Sequence, residues 1–204
     1  MAGDTKEKII AHAVELFYSR GFVKASVRDI AKSLGISQAS IYNHFKNKDE
    51  ILFTIMDRLG DELTVMLKNI ETQSDHPADS LWKMIHSHLC LLKKKKKEFR
   101  IFVDELNQLP DNLETYCSAK HRTIFELYRN MVDKIHRQGM ANPIDSTVAA
   151  FSILGVIVWF YRWINVEGPM AIDEAADEIL KMLLFGLLKP GVECRYCNGP
   201  TGST

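Results

Sequence analysis

The side chains best suited to chemistry in this sequence lie on a short predicted helix near the N-terminus, and they fit contacts with a DNA duplex. Gln38 can form two hydrogen bonds with an adenine edge, and Ala39 can touch a thymine methyl group. The hydroxyl, amide and imidazole groups of Tyr42, Asn43 and His44 can donate to phosphates. This combination indicates a surface that reads base edges while it holds the DNA backbone.

Two short helices joined by a glycine-containing turn must position these side chains. Ser26 with Asp29 three residues later resembles a capping box, and a short amphipathic helix follows it. After the turn, Ser37 caps a second helix, predicted over about 38–45, whose apolar residues face inward and whose polar residues face outward. This order is that of a helix-turn-helix motif, which places its second helix in the major groove.

The starts of the second, third and fourth predicted helices add sites for phosphates, because each leaves backbone N–H groups unpaired. Positive charge lies beside these starts at Arg28 and Lys48, and Lys46 lies on the outer face of the third helix. The alternative is a solvated three-helix cap that has no DNA partner. The candidate DNA-binding residues are Ser26, Arg28, Ser37, Gln38, Ala39, Ser40, Tyr42, Asn43, His44, Lys46 and Lys48.

The run from Lys24 to Leu52 closely resembles the DNA-binding domain of TetR-type transcriptional repressors, above all in V-R-D-I-A, L-G-I-S, I-Y-N-H-F and K-x-K-D-E-I-L. The resemblance implies a two-fold dimer on a pseudo-palindromic operator, released when a ligand in the C-terminal domain shifts the fourth helix. It also implies that Lys48 meets a phosphate. Asn43 differs, since family members commonly carry an aromatic residue there. The positions that commonly lie against DNA are those of Ser26, Gln38, Ala39, Ser40, Tyr42 and His44.

Apolar residues recur at spacings of three and four along the chain, and no run alternates like a strand, so we expect an all-α fold. We predict nine helices, over about 5–20, 27–34, 38–45, 78–95, 99–109, 112–138, 144–164 and 173–188, with a fourth of about 24 residues opened by Asn47–Glu50. The predicted domains are a helix-turn-helix DNA-binding domain (1–47), a helical ligand-binding and dimerisation domain (48–189) and a flexible tail (190–204).

Two polar residues interrupt the apolar faces of later helices and are candidate ligand contacts. His88 and Lys120 each fall at the centre of such a face, where a polar group needs a ligand, another side chain or water as its partner. Lys120 can instead extend to the rim, and His88 can be hydrogen-bonded in the core. Phe102, Tyr116 and Tyr128 supply the aromatic lining that small-molecule sites prefer, although aromatic stripes are more often core.

A second resemblance indicates the class of the ligand. The segment W-F-Y-R-W (159–163), followed by E-G-P-M (167–170), resembles the W-x-Y-R-W…G-P-L segment of TetR-type regulators that sense acyl-CoA thioesters. By this resemblance Trp159, Arg162 and Trp163 are candidate ligand contacts, with Arg162 on an anionic group. The intervening I-N-V replaces the aromatic, basic and proline residues usual there. The alternatives are a helix-end arginine beside core tryptophans and an apolar or drug-like effector without CoA.

The last two predicted helices favour a homodimer. Val148–Phe160 is apolar all round, and its small residues allow close approach of another helix. The final helix carries a wide apolar stripe, and two such helices per chain make a four-helix interface in a dimer. The stripe consists of Ile172, Ala175, Ala176, Ile179, Leu180, Leu183, Leu184 and Leu187.

Composition and charge narrow the class of protein. The 204 residues are 46% hydrophobic and 25% charged, as in globular proteins, and 26 basic residues balance 26 acidic ones, so a DNA site must be a local patch. The longest apolar stretch, Val148–Tyr161, is shorter than the roughly 18 to 20 residues that span a bilayer, and no signal-peptide pattern is present. We predict a cytoplasmic protein with no membrane partner.

The sequence gives little support to catalysis, metals or cofactors. It has no nucleophile elbow, P-loop, dinucleotide fingerprint or H-E-x-x-H motif, so we expect no enzyme. Cys194-x-x-Cys197 lacks further metal ligands at suitable spacing, and all four cysteines are expected to be thiols. The run Lys93–Lys97 reads as a solvated helix end or, alternatively, a phosphate contact. A protein-interaction module that does not bind DNA specifically is the remaining alternative.

Overall fold

The computed structural model describes residues 2–73, 76–163 and 172–192, and within these ranges the chain is helical throughout apart from turns and an isolated bridge between Ala141 and Leu188. The all-α prediction is confirmed. The helices are α1 (Ala2–Arg20), α2 (Val27–Leu34), α3 (Gln38–Tyr42), α4 (Lys48–Thr72), α5 (Pro77–Lys94), α6 (Lys96–Asp104), α7 (Asp111–Arg137), α8 (Ser146–Trp163) and α9 (Ile172–Leu187), with a 3-10 turn at Leu106–Gln108.

Some predicted features fall outside this part of the chain. The side chain of Trp163, residues 164–171 and residues 193–204 of the predicted tail, with Cys194 and Cys197, lie outside the described residues. Among the helices that are described, none is both long and apolar enough to cross a membrane.

Two helices end earlier than their sequence patterns predict. α3 ends at Tyr42 because the chain then tightens, and the amides of His44 and Phe45 both donate to the carbonyl oxygen of Ile41. α6 ends at Asp104 and a 3-10 turn replaces the rest of the predicted helix. The residue after this turn is extended, as expected before a proline.

Side-chain caps begin the helices of the predicted DNA-binding domain. The Ser26 hydroxyl accepts from the amide of Asp29 (3.2 Å), whose carboxylate accepts from the amide of Ser26 (3.0 Å), so the predicted capping box is present. The Ser37 hydroxyl accepts from the amide of Ser40 (3.1 Å) at the start of α3. At the start of α4, the Asn47 side chain accepts from the amide of Glu50 (2.8 Å).

The described residues pack as two compact units, one formed by those up to residue 62 together with 95–121 and the other by those in 63–94 together with those from 122 onward. The first unit therefore joins the helix-turn-helix residues to α6 and to the first parts of α4 and α7. Both α4 and α7 continue from one unit into the other. This grouping by packing differs from the predicted boundary after residue 47, which stays a prediction.

The first unit has its core beneath the helix-turn-helix. α1 packs against α2 and α6, and α2 packs against α3. Ile9, Ala13 and Phe17 of α1 are buried, as are Ile30 and Ala31 of α2 and Ile41 of α3. Burying these apolar faces fixes α3 with its polar face turned to solvent.

In the second unit α5 packs against α8 and α9, and its apolar face is buried. The loop before α8 also holds the end of α9. The Asn142 side chain donates to the carbonyl oxygens of Gly186 (3.1 Å) and Leu188 (3.0 Å). The backbone N–H of Asn142 donates to the carbonyl oxygen of Leu187 (2.7 Å).

Candidate DNA-binding surface and effector-binding residues

The outer face of α3 presents the residues predicted to read DNA. Gln38, Ala39, Asn43 and Lys46 are exposed, and Tyr42 is 53% exposed. The opposite face is buried beneath them. His44 and Ser40 are half-buried at the margin of this surface. Hydrogen-bond donors and a methyl group on α3 and in the residues directly after it are thus open to solvent, as the DNA-binding prediction needs.

Two of the three predicted serine contacts, Ser26 and Ser37, already serve as helix caps. Ser26 and Ser37 each bond the third amide of their helix, and the Ser40 hydroxyl lies 2.9 Å from that of Ser37. Hydrogen bonds from Ser26 lower the pKa of the Asp29 carboxyl, so the capping box stays ionised at neutral pH. The exposed Arg28 follows in the first turn of α2.

Lys48 is held inside the fold by the turn between α1 and α2. Its ammonium donates to the carbonyl oxygens of Phe22 (2.8 Å) and Ala25 (2.9 Å), and it lies 4.0 Å from the centroid of the Phe22 ring. Two of its three N–H donors are therefore used within the protein, which leaves one for a phosphate. The motif indicated the possible DNA contact but not this structural role.

Lys120 lies between two carboxylates of α4. It forms an ion pair with Asp57, donates to Asp61 (2.5 Å) and donates to the backbone oxygen of Asp57 (3.1 Å). Desolvation lowers the pKa of Lys120, but its hydrogen bonds with Asp57 and Asp61 more than offset this effect and raise the pKa overall. The sequence left a ligand, another side chain or water as the possible partner of Lys120, and in the structure its partners are the side chains of Asp57 and Asp61.

Two further predicted ligand contacts lie in the same region of the first unit. Phe102 is buried, with its ring centroid 4.1 Å from that of His121. Tyr116 is about half exposed, meets Phe53 edge-on, and has the Lys120 ammonium 5.1 Å from its ring centroid. The packing brings Phe102, Tyr116 and Lys120 into one unit but places His88 and Tyr128 in the other.

His88 and Tyr128 form a buried pair in the second unit. The Nδ1 atom of His88 lies 3.1 Å from the Tyr128 hydroxyl, which donates to the carbonyl oxygen of Met84 (3.2 Å). Burial lowers the pKa of His88 to about 3, so its imidazole is neutral at physiological pH. The buried Ser80 lies on α5, as His88 does, and its hydroxyl has no hydrogen-bond partner among the described residues.

The third group of predicted ligand contacts lies at the end of α8. Trp159 is largely exposed and Arg162 is exposed. Other large apolar side chains on α8 and α9 are also more than half exposed in the single chain. The members of this exposed apolar set are Val148, Phe151, Trp159, Met182 and Phe185.

The lysine run is only partly the solvated helix end predicted from sequence. Lys93 and Lys94 are exposed at the end of α5. Lys95 instead forms an ion pair with Glu62 of α4, and Lys97 forms one with Glu15 of α1 (2.5 Å). The acidic partners come from distant segments, so the run itself could not reveal them.

Sequence reasoning missed three kinds of partner. Asp57 and Asp61 occur one helical turn apart, a spacing that can hold a buried lysine, but nothing local identified Lys120 as that lysine. Glu105 accepts from the backbone amide of Phe22 (3.2 Å), and Asn142 caps α9. Neither residue has a local sequence signal. Where the structure is described, no three metal-ligating side chains gather into a possible metal site.

Family models match both parts of the chain. Residues 9–55 match bacterial regulatory proteins of the tetR family, and residues 74–187 match a tetracyclin repressor-like C-terminal domain. The HTH-type transcriptional repressor KstR2 of Rhodococcus jostii is 25% identical over 187 residues, which cover 91% of this chain and 92% of that protein.

Solved structures share the fold. The ketosteroid transcriptional regulator KstR2 of Mycobacterium tuberculosis has a TM-score of 0.84 at 21% identity, covering 91% of this chain and 95% of that one. AibR in complex with isovaleryl coenzyme A and operator DNA has a TM-score of 0.81 at 26% identity, covering 88% and 97%. Since the C-terminal model alone matches more than half of the residues, the chain belongs to the TetR family of DNA-binding transcriptional regulators, which are not enzymes.

Proposed function

We propose that the chain is a repressor that binds a pseudo-palindromic operator as a homodimer and leaves it when a small effector binds. The observation that carries this proposal is the outer face of α3, where Gln38, Ala39 and Tyr42 are exposed above a buried apolar face. Those side chains suit base edges and phosphates. The sign of regulation follows the similarity to KstR2, which is a repressor.

The proposed DNA contacts divide by role. Gln38 and Ala39 read base edges, while Tyr42, Asn43 and His44 hold phosphates together with the charges of Arg28, Lys46 and Lys48. Ser26 and Ser37 act mainly through the starts of the helices that they cap, where backbone amides can bind phosphates, and Ser40 supports the Ser37 cap through its hydroxyl.

Dimerisation through α8 and α9 is supported by their exposed apolar side chains, the set Val148, Phe151, Trp159, Met182 and Phe185. A patch of this kind is characteristic of an interface. Phe151→Glu and Phe185→Glu should each shift the protein toward monomer in sedimentation velocity. Val65→Glu, at an exposed valine on α4, is the matched control and should leave the sedimentation unchanged.

For the effector we propose an acyl-CoA thioester. The support is the similarity to AibR, whose structure holds isovaleryl coenzyme A, together with the exposed Arg162 at the end of α8. A guanidinium suits the phosphates of CoA, and Trp159 and Trp163 suit stacking on its adenine. Lys120 is a weaker candidate because two carboxylates already neutralise it.

A neutral effector without CoA is the second candidate, and the buried face of α5 favours it. His88 is neutral, Tyr128 lies beside it, and the Ser80 hydroxyl in the same core lacks a partner among the described residues. Such a face can bind an apolar molecule that carries a hydroxyl or a carbonyl. Phe102 and Tyr116 offer apolar surface in the other unit but no polar group that distinguishes one effector from another.

The test begins with a duplex that the wild-type protein selects from random DNA. Its binding is followed by fluorescence anisotropy during titration with isovaleryl-CoA or isovaleric acid. The proposal expects the thioester to release the DNA and the free acid to have no effect. Arg162→Ala should bind DNA within about 2-fold of wild type but lose the response, while Arg137→Ala, at an exposed arginine of α7, should keep it. Equal release by acid and thioester would show that the CoA group is not recognised, which would contradict the proposed contact of Arg162 with its phosphates.

A further inference from the structure

The turn between α1 and α2 (residues 21–25) is held by side chains from two distant parts of the first unit. On one side, Lys48 at the start of α4 donates to the carbonyl oxygens of Phe22 and Ala25. On the other side, the carboxylate of Glu105 accepts from the backbone amide of Phe22 at 3.2 Å. The backbone N–H and the backbone carbonyl of Phe22 are thus both hydrogen-bonded to charged side chains. Such hydrogen bonds are stronger than those between neutral groups.

Glu105 reaches the turn because α6 lies along α1. Lys97 of α6 pairs with Glu15, and Arg100 lies 5.0 Å from the ring centroid of Tyr18. Glu105 then follows the last residue of α6, where the backbone leaves the α-helical conformation (φ −106°, ψ 11°). The series of contacts therefore runs toward the end of α1 and finishes on the turn.

The held segment determines where α2 begins. Gly21 adopts a left-handed conformation (φ 79°) that ends α1, and the buried Phe22 packs edge-on against Phe17 (5.2 Å). Ser26, the cap of α2, directly follows the turn. Because α2 packs against α3, a displacement of the turn would be passed to the helix that faces DNA.

We propose that Glu105 is a positioning residue for DNA recognition: by holding the Phe22 amide it fixes the start of α2 and hence the orientation of α3. Glu105 lies among the residues that match the C-terminal family model, and Phe22 among those that match the helix-turn-helix model. One hydrogen bond thus joins parts of the chain that the sequence assigns to different domains. The inference rests on operator binding and not on the identity of the effector.

Because Glu105 is negatively charged, the effect of its replacement on DNA affinity distinguishes positioning from simple electrostatics. Removing a carboxylate from a DNA-binding protein strengthens its attraction to phosphates, so electrostatics alone predicts tighter binding by Glu105→Ala. Loss of the positioned amide predicts weaker binding. The two explanations therefore give opposite signs in one titration.

The experiment compares full-length variants on the duplex that wild type selects from random DNA. Glu105→Ala should bind about 10-fold more weakly, and Glu105→Asp, which keeps the charge but shortens the side chain, should be similarly impaired. Glu105→Gln keeps an acceptor oxygen and should remain within about 3-fold of wild type. Asp104→Ala removes the neighbouring carboxylate of α6 and should bind at least as tightly as wild type.

Amide hydrogen exchange separates positioning from a general loss of stability. In Glu105→Ala the Phe22 amide should exchange about 10-fold faster, while the amides in the middle of α1 keep their wild-type rates. If Glu105→Ala does not fold, Glu105→Asp carries both measurements. Wild-type or tighter binding by the folded variant, or faster exchange throughout the first unit, would overturn the inference. Failure of the wild-type protein to select any duplex would overturn the proposed function as well.

Discussion

The residues of the helix-turn-helix and the predicted effector-binding residues differ in what surrounds them in the folded chain. The residues assigned to reading bases on α3 lie at solvent, with no need of partners from elsewhere in the chain. Two of the polar residues assigned to the effector have internal partners instead, since Lys120 lies between Asp57 and Asp61, and His88 bonds Tyr128. A motif on an outer face keeps the properties its spacing indicates, whereas a polar residue on an inner face acquires its role from whatever packs against it.

Lys48 is both a proposed DNA contact and a residue with internal partners. Its replacement should therefore have the largest effect, on stability as well as on DNA affinity. Lys48→Ala removes two charge-assisted hydrogen bonds, and we expect the free energy of unfolding to fall by about 3 kcal/mol. Binding to all DNA sequences should weaken, with a shallower salt dependence because the third donor is lost. Denaturant unfolding and anisotropy titrations at several salt concentrations measure both effects. Lys46→Ala, at an exposed position, should lower affinity only, and full stability in Lys48→Ala would contradict its internal role.

Gln38 tests the outward-facing side of the comparison. Gln38→Ala should lose about 2 kcal/mol of binding to the duplex that wild type selects, or roughly 30-fold, and little on random DNA. The reason is that a base contact carries sequence preference while phosphate contacts do not. Gln108→Ala, at an exposed glutamine of the 3-10 turn, is the control and should leave affinity unchanged. An equal loss on both duplexes would show that Gln38 does not read a base.

His88 tests the inward-facing side through pH. Burial lowers its pKa to about 3, so the unfolded chain binds a proton that the folded chain rejects between pH 6.5 and about 3. This residue's contribution to stability is therefore intact above pH 6.5 and falls as the pH falls, by about 2 kcal/mol between pH 7 and pH 5. Denaturant unfolding across this range should show that His88→Gln lacks this part of the slope. The control, His44→Gln, should keep it, and a wild-type slope in His88→Gln would contradict the neutral buried pair.

Gly60 gives the smallest expected effect and tests the packing around Lys120. A Cβ added there would lie 2.9 Å from Cδ of Lys120 and 3.2 Å from Cε2 of Phe102, and both side chains are held in place. Gly60→Ala should therefore lower the free energy of unfolding by about 1 kcal/mol despite the better helix propensity of alanine. Thermal unfolding of Gly60→Ala beside the wild-type protein measures this change. A gain in stability at Gly60 would show that Lys120 is free to move.

The sequence predicted the helices well because apolar spacing and caps are local signals. The capping box of Ser26 and Asp29 is present, and the long α4 begins and ends near its predicted bounds. The predicted end of α6 was wrong because a 3-10 turn, and the contact of Glu105 with Phe22, replace the last turn of the predicted helix. Such contacts join residues more than 80 positions apart, and no local pattern encodes them. For the same reason the charges of the lysine run found partners on α1 and α4 that spacing did not indicate.

The cap that Asn142 places on α9 bears on the entropy of association. Helix ends usually fray, but here three carbonyl oxygens at the end of α9 accept hydrogen bonds from one asparagine in the loop before α8. The last turn, which carries Phe185, is therefore ordered before any partner arrives. Ordering interface side chains on association costs about 0.5 to 1.5 kcal/mol each, so in the proposed homodimer a preorganised α9 would leave more of its buried apolar area to contribute to affinity.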